Sequence, residues 1–171
     1  MMKALKGLDQ KVPEKFHLLI GGGAALILAH KISLATMDID GIPFKTTIKF
    51  ADLDIYVKEV AVELGIPHDW LNGYFATFTH FLPKDYGDRL VTILTGEKIT
   101  AVALGKEDLL IMKCFAHRAK DVSHASQLVK KGVDLQKVAN HLHQCREDGI
   151  SNADKATDFF YEICERLGVT V

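Results

Sequence analysis

The hydrophobic pattern begins with a short apolar run and a turn near the N-terminus. Phe16–Ile20 reads FHLLI, which is typical of a short buried strand. Gly21, Gly22 and Gly23 follow it and are called here the glycine turn, because glycine adopts backbone conformations that other residues avoid. Residues 24–32 are rich in helix formers and contain no breaker, so a helix is expected after the turn.

A second strand is predicted at residues 36–40, where apolar and polar side chains alternate. Met37 and Ile39 would face one side of this strand, and Asp38 and Asp40, the aspartate pair, would face the other. The rise along a strand separates the two aspartates by about 6–7 Å, so both carboxylates can reach one cation.

The remaining pattern is mainly helical and includes one hairpin. Residues 52–64 have helical spacing, and residues 89–94 and 98–104 predict two strands joined by a tight turn. Helices are then expected over residues 108–129, 134–145 and 151–167. Asp134 and Ser151 are the expected N-caps of the last two helices, and Gly168 is the expected C-terminal stop.

This order of elements predicts a single α/β (α+β) domain over residues 1–171. A small mixed sheet is expected within residues 16–105, and a helical part at residues 106–168. The chain is 48% hydrophobic and 25% charged, as in soluble globular proteins, and its net charge of −1 provides no general attraction to nucleic acid or anionic membranes. No apolar run reaches the roughly 18 residues of a membrane span. The cysteines are few and widely spaced, which suggests reduced thiols and a cytoplasmic protein: Cys114, Cys145 and Cys164.

The glycine turn and the aspartate pair together predict a site for a metal and a phosphate group. Backbone N–H groups of the turn, and the start of the helix after it, can approach an anion. Magnesium prefers oxygen ligands and is commonly held by one or two carboxylates plus substrate phosphates. Taken singly, each motif also has an ordinary structural explanation, as a tight strand–helix junction and as an exposed strand.

The same residues resemble a known superfamily. A strand, a glycine pair, a helix and then T-x-D-I-D are typical of nucleotidyltransferases with the polymerase-beta-like fold. IPHDWLN (66–72) and DLLIMKCFAHRAKD (108–121) further resemble small bacterial branches, including abortive-infection and toxin–antitoxin nucleotidyltransferases and related families of unassigned function. The resemblance covers roughly residues 16–167. It implies a nucleotidyltransferase-type sheet, binding of a nucleoside triphosphate (NTP) with Mg²⁺ or Mn²⁺, and nucleotidyl transfer to RNA or protein.

The resemblance also implies a role for each matching residue. The aspartate pair would hold the metal, the glycine turn would bind phosphate, and Thr36 would orient the aspartate strand or contact phosphate. From the later helix, Lys113 would reach toward the triphosphate, with Arg118 and Lys120 as further anion contacts. Asp121 would cap or brace the site.

Two positions depart from the superfamily's pattern. Leu34 stands where an arginine usually precedes the threonine, and His124 stands where a further aspartate usually completes the later helix motif. Lys31 is the candidate substitute for this arginine, but a lysine cannot reproduce the bidentate geometry of an arginine. A second hypothesis therefore stays open, in which the chain is a binding module without turnover, as one partner of a toxin–antitoxin or defence pair.

In active members of the superfamily, a third carboxylate on a later strand often completes the metal site. Residues 89–94 are the candidate strand here, and they contain no acidic residue. Asp88, just before them, is the predicted third acid, provided that this strand lies beside residues 36–40. Asp52 and Asp54 are alternatives, but they begin a helix, where a carboxylate already has a capping role.

Two further groups of residues have both an ordinary and a functional interpretation. His117, Asp121 and His124 would share one helix face as zinc ligands do, but an ordinary polar face is favoured. An aromatic cluster would either stack on a base or pack between strand and helix, and packing is favoured: Trp70, Tyr74, Phe75, Phe78 and Phe81.

Overall fold

A computed structural model describes residues 1–171, which form two compact units. The first unit contains Met1–Thr77 and Leu90–Leu104, and the second contains Phe78–Arg89 and Gly105–Val171. The fold is α+β with a five-stranded mixed sheet, as predicted. No helix combines the length and the apolar character needed to cross a membrane. The elements are α1 (Met2–Lys11), β1 (Phe16–Ile20), α2 (Gly22–Leu28), β2 (Ile39–Phe44), α3 (Phe50–Leu64), β3 (Leu71–Asn72), β4 (Val91–Thr95), β5 (Ile99–Ala103), α4 (Lys106–Ala116), α5 (Ala119–Lys130), α6 (Leu135–Glu147) and α7 (Ala153–Leu167), with 3-10 helices at Tyr74–Phe81 and Tyr86–Arg89.

The sheet belongs to the first unit and has β1 at its centre. Its strand order is β3-β2-β1-β5-β4, with β1 antiparallel to β2 and parallel to β5. Leu18, Leu19 and Ile20 of β1 are fully buried, because a central strand is covered on both faces. The predicted hairpin is confirmed as β4 and β5, which pair antiparallel.

Helices α1 and α3 pack against each other in the first unit. The inner face of α3 presents Leu53, Val57 and Val60 at helical spacing, and these side chains are buried. Gly65 ends α3 in the left-handed conformation, with φ 62°. Trp70 is also buried, and its indole N–H donates a hydrogen bond to the Val57 carbonyl oxygen at 2.9 Å.

Asp9 connects α1 to the turn between β4 and β5. Its carboxylate accepts hydrogen bonds from the backbone N–H groups of Glu97, Lys98 and Ile99, at 3.1, 2.9 and 2.6 Å. Burial raises the pKa of Asp9, but these three hydrogen bonds outweigh burial and hold the pKa below its ordinary value. The ionised carboxylate therefore stabilises a turn that is distant in sequence.

The second unit is a helical cluster around α4. Helix α4 contacts α5, α6 and α7, and its residues Leu109–Cys114 are all buried. The Asp134 side chain accepts a hydrogen bond from the Lys137 N–H at 2.9 Å, so the predicted cap of α6 is confirmed. Gly168 ends α7 in the left-handed conformation, as predicted.

The predicted continuous helix at residues 108–129 is wrong, because two helices occupy this range. His117 ends α4 with φ 33°, a left-handed conformation, and Arg118 begins α5 as its N-cap. Asp121 accepts the Arg118 backbone N–H at 3.2 Å and so replaces one hydrogen bond lost at the break. The last helix begins after Asn152 rather than at Ser151, and Asn152 is also left-handed, with φ 64°.

Candidate functional site

The glycine turn and Asp40 meet directly in the first unit. The Gly21 N–H donates to the Asp40 carbonyl oxygen at 2.9 Å, which continues the pairing of β1 with β2 beyond Ile20. Gly22 has φ 59°, and a Cβ added there would overlap Asp40 Oδ2 and lie 2.8 Å from Asp40 Cγ. Glycine is therefore needed at this position both for its backbone conformation and for the close approach of the carboxylate.

Thr36 and Asn72 hold the other aspartate. The Thr36 hydroxyl donates to Asp38 Oδ1 at 2.7 Å, and Asn72 Nδ2 donates to Asp38 Oδ2 at 3.2 Å. Thr36 also lies against the glycine turn, since a Cβ on Gly23 would be 3.3 Å from Thr36 Cβ. Contacts thus join the glycine turn, Thr36, Asp38 and Asn72 within one unit.

Strand β2 begins at Ile39, so the expectation that both aspartates lie on one strand face is wrong for Asp38. Ile39 is fully buried, and its N–H donates to the Trp70 carbonyl oxygen at 2.7 Å. Asp38 precedes the strand and is exposed, whereas Asp40 lies within it and is half-buried. The hydrogen bond between Thr36 and Asp38 forms in the extended segment before the strand.

Asn72 is a site residue to which the sequence reasoning gave no role. It ends the two-residue strand β3, opposite Asp40 in the parallel pairing of β2 with β3. The available signal was the motif IPHDWLN, whose last residue is Asn72. A two-residue strand is too short to produce a periodic pattern, so only the motif indicated it.

The donor atoms at this site fit a hard divalent cation. Asp38 and Asp40 supply carboxylate oxygens and Thr36 a hydroxyl, and magnesium prefers oxygen ligands. Asn72 turns its amide nitrogen toward Asp38 and its oxygen toward the Tyr74 N–H, so it orients the carboxylate. Each Asp38 oxygen accepts one of the two hydrogen bonds above, and a carboxylate offers about four lone-pair positions in total. Both oxygens therefore retain capacity to bind a metal while their neighbours fix the carboxylate's orientation.

The predicted anion contacts of the later helices belong to the second unit. Lys113 on α4 is buried, and its Nζ lies 2.9 Å from Oδ1 of the fully buried Asp121. Arg118 Nε donates to Asp121 Oδ2 at 2.8 Å, and Lys120 is exposed. Burial raises the pKa of Asp121, but hydrogen bonds from Arg118 and Lys113 outweigh it and lower the pKa below its ordinary value. Asp121 therefore braces the junction of α4 and α5 as an anion, and contact of Lys113 with a triphosphate stays a prediction.

A family model described as "Nucleotidyltransferase of unknown function (DUF6036)" matches residues 2–166. The chain belongs to this family. The resemblance to the nucleotidyltransferase superfamily is thereby confirmed, and the matched range includes both the glycine turn and the aspartate pair. No match to this chain was found among curated proteins or among solved structures.

Asp88 precedes β4, and this strand is not adjacent to β2. Strand β4 is an edge strand, and β1 and β5 separate it from β2. The expected adjacency is therefore wrong, because β1 occupies the position beside β2 and pairs in parallel with β5 on its other side. Asp88 is exposed on the 3-10 helix Tyr86–Arg89 of the second unit, and its role as third acid stays a prediction.

The two alternative acids, Asp52 and Asp54, have the ordinary roles that helix chemistry predicts. Asp52 accepts the Lys49 backbone N–H at 2.8 Å at the start of α3. Asp54 forms an exposed ion pair with Lys58, one helical turn further along, at 2.6 Å.

The structure does not bring His117, Asp121 and His124 together in a zinc-type arrangement. His117 ends α4, with its Nδ1 2.9 Å from the Phe115 carbonyl oxygen, whereas the other two residues lie on α5. No group of three or more histidine, cysteine or acidic side chains is placed to hold a metal ion. His124 Nδ1 is buried without a hydrogen-bond partner, 3.8 Å from Asp121 Oδ1.

Proposed function

We propose that this protein binds a nucleoside triphosphate with Mg²⁺ through the glycine turn and the aspartate pair, and transfers a nucleotidyl group to a hydroxyl on RNA or protein. One observation carries the proposal: a side chain at Gly22 would overlap the Asp40 carboxylate. The backbone of the glycine turn and a metal-type ligand are thus neighbours, which supports one site for a metal and its phosphates.

The roles of the residues follow from their contacts. Asp38 and Asp40 would hold the ion, and Mn²⁺ would suit the same oxygen donors. Thr36 and Asn72 keep the Asp38 carboxylate oriented through their hydrogen bonds. When bound, the ion neutralises charge on the phosphates and lowers the pKa of the attacking hydroxyl.

The proposed reaction is an in-line displacement at the alpha phosphorus. The acceptor oxygen forms a bond to phosphorus, the bond from phosphorus to the beta-phosphate oxygen breaks, and pyrophosphate leaves. The hydroxyl proton, whose pKa a bound metal would lower, passes to water. The glycine turn orients the phosphates through backbone N–H groups.

Calorimetry with ATP, CTP, GTP and UTP in the presence of magnesium tests this proposal. We expect binding by the wild-type protein, and loss of its magnesium-dependent part in Asp38→Asn and Asp40→Asn. Asp54→Asn is the matched control, because it removes an exposed carboxylate of the same unit whose partner is Lys58. Folded wild-type protein that releases no heat with any nucleotide would refute the proposal.

The second candidate function is a nucleotide-binding module without turnover, acting as one partner of a toxin–antitoxin or defence pair. Leu34 replaces the usual arginine, and β4 contains no acidic residue. Incubation with NTPs labelled at the alpha phosphate, together with total RNA and protein, distinguishes the two candidates. Magnesium-dependent label on RNA or protein that disappears in Asp38→Asn excludes the module, whereas nucleotide binding without any labelled product favours it.

A further inference from the structure

The structure separates the predicted aromatic cluster into buried and exposed rings. Trp70 and Phe75 are each only 2% exposed in the first unit, as packing residues are. Tyr74, directly before Phe75, is 62% exposed. Most of the surface of this aromatic residue is in water, so its burial stabilises the fold less than that of Trp70 or Phe75.

Hydrogen bonds connect Tyr74 to the candidate site. Its backbone N–H donates to Asn72 Oδ1 at 3.1 Å, and the same amide donates through Nδ2 to Asp38 Oδ2 at 3.2 Å. One side chain, Asn72, therefore fixes both the backbone at Tyr74 and the carboxylate of Asp38. The backbone from which the Tyr74 ring extends is therefore held in a fixed position relative to Asp38, the proposed metal ligand.

A second exposed apolar residue directly precedes Asp38 in the chain. Met37 is 81% exposed and stands between Thr36 and Asp38 in the chain. Only a few large hydrophobic side chains are exposed, and two of them are next to the Asp38 network: Met37, Ile55, Val62, Tyr74, Tyr161 and Val171. Single exposed apolar residues are ordinary, whereas ligand sites combine aromatic and apolar side chains with a few polar groups.

We propose that Tyr74 is the residue on which the base of the bound nucleotide stacks, with Met37 as an additional apolar contact. The inference rests on the proposed function and adds the residue that contacts the base of the nucleotide. Every base has a π-face, so stacking on tyrosine tolerates all four bases. The protein should therefore bind all four NTPs, and the larger purine bases more tightly than the pyrimidines.

The test compares MgATP with magnesium tripolyphosphate, which has the phosphates and no base. Stacking contributes enough that Tyr74→Leu should weaken ATP binding by about 5- to 150-fold. Tyr74→Phe keeps the ring and should bind ATP like the wild type, and tripolyphosphate binding should be equal in all three proteins. Tyr161→Leu is the matched control, an exposed tyrosine of α7 whose hydroxyl partner is His143.

A fluorescence measurement identifies stacking directly. The triphosphate of 2-aminopurine riboside should be quenched on binding to the wild type and to Tyr74→Phe, but not on binding to Tyr74→Leu at saturation. Far-UV circular dichroism checks that each variant is folded.

The outcomes separate this inference from the proposed function. Equal ATP affinity of Tyr74→Leu and the wild type would overturn the stacking role and leave the proposed function intact. Weakened tripolyphosphate binding in Tyr74→Leu would show that the residue acts through Asn72, which also overturns stacking. Wild-type protein that binds neither ATP nor tripolyphosphate would overturn both proposals.

Discussion

Replacing Gly22 by alanine tests the contact on which the candidate site depends. Gly22 has φ 59°, and the left-handed conformation costs a non-glycine residue about 1–2 kcal/mol. An alanine Cβ would also overlap the Asp40 carboxylate, and relieving such overlap costs typically about 1–3 kcal/mol. We expect Gly22→Ala to lower the free energy of unfolding by about 2–5 kcal/mol in total.

Gly65 offers a control that isolates the backbone contribution. It has φ 62°, close to that of Gly22, but a Cβ added there would meet no atom within 4 Å. Gly65→Ala should therefore show only the conformational cost, about 1–2 kcal/mol. The difference between the two variants, about 1–3 kcal/mol, measures the overlap with Asp40.

Urea denaturation followed by tryptophan fluorescence is the suitable assay. Trp70 is the only tryptophan of the chain, and it is buried in the first unit, so its emission reports on the unit that contains Gly22. In the double variant Gly22→Ala/Asp40→Ala, the overlapping atoms Oδ2 and Cγ are gone and only the Cβ contact at 3.1 Å is left, so the cost of the alanine should fall toward that seen at Gly65. If Gly22→Ala costs no more than Gly65→Ala, the close approach of Asp40 to the glycine turn is refuted.

Three further predictions concern charges in the two units. Lys113→Ala should lower the free energy of unfolding by about 3–5 kcal/mol in urea titrations followed by circular dichroism, because it removes a buried partner of Asp121; a cost below 1 kcal/mol would contradict a buried pair. Burial, with the positive charge of Lys113, lowers the pKa of His124 from its ordinary 6.5, so the unfolded chain binds this proton first. The stability contributed by neutral His124 is therefore complete above about pH 6.5 and is lost as the pH falls through the lowered pKa. The urea midpoint of His124→Leu should therefore depend less on pH, between pH 7.5 and 5, than the midpoint of the wild type. Asp9→Ala should lower the free energy of unfolding by about 1–3 kcal/mol, because three backbone N–H groups lose their shared acceptor. An unchanged urea midpoint would mean that water replaces the carboxylate.

The elements predicted correctly are those that depend on local chemistry. The apolar run of β1, the turn between β4 and β5, the Asp134 cap and the Gly168 stop each have their cause within a few residues. The glycine turn and Asp40 also meet as predicted, because β1 and β2 are antiparallel neighbours joined by one short helix. For these features the sequence pattern and the folded chain have the same physical basis.

The elements predicted wrongly depend on contacts that are distant in sequence or on rare backbone conformations. His117 interrupts a helical pattern without glycine or proline, and a left-handed histidine has no local signal. The place of β4 at the sheet edge follows from the parallel pairing of β1 with β5, whose partners are about 80 residues apart, as Phe16 and Ile99 are. Asn72 reaches Asp38 across 34 positions from a strand of two residues.

The discontinuity of the first unit has a consequence for synthesis on the ribosome. Met1–Thr77 contains β1, β2 and β3, but the unit is complete only when Leu90–Leu104 has been added. At typical rates of about 5–20 residues per second, the ribosome takes about 1–5 s to make the stretch from Thr77 to Leu104. During this interval β1 has no β5 beside it, and the apolar edge of a future central strand is open to other chains. The nascent chain is therefore most exposed to misassociation in the seconds before its last strand emerges, and a chaperone that binds at the ribosome would matter most at that stage.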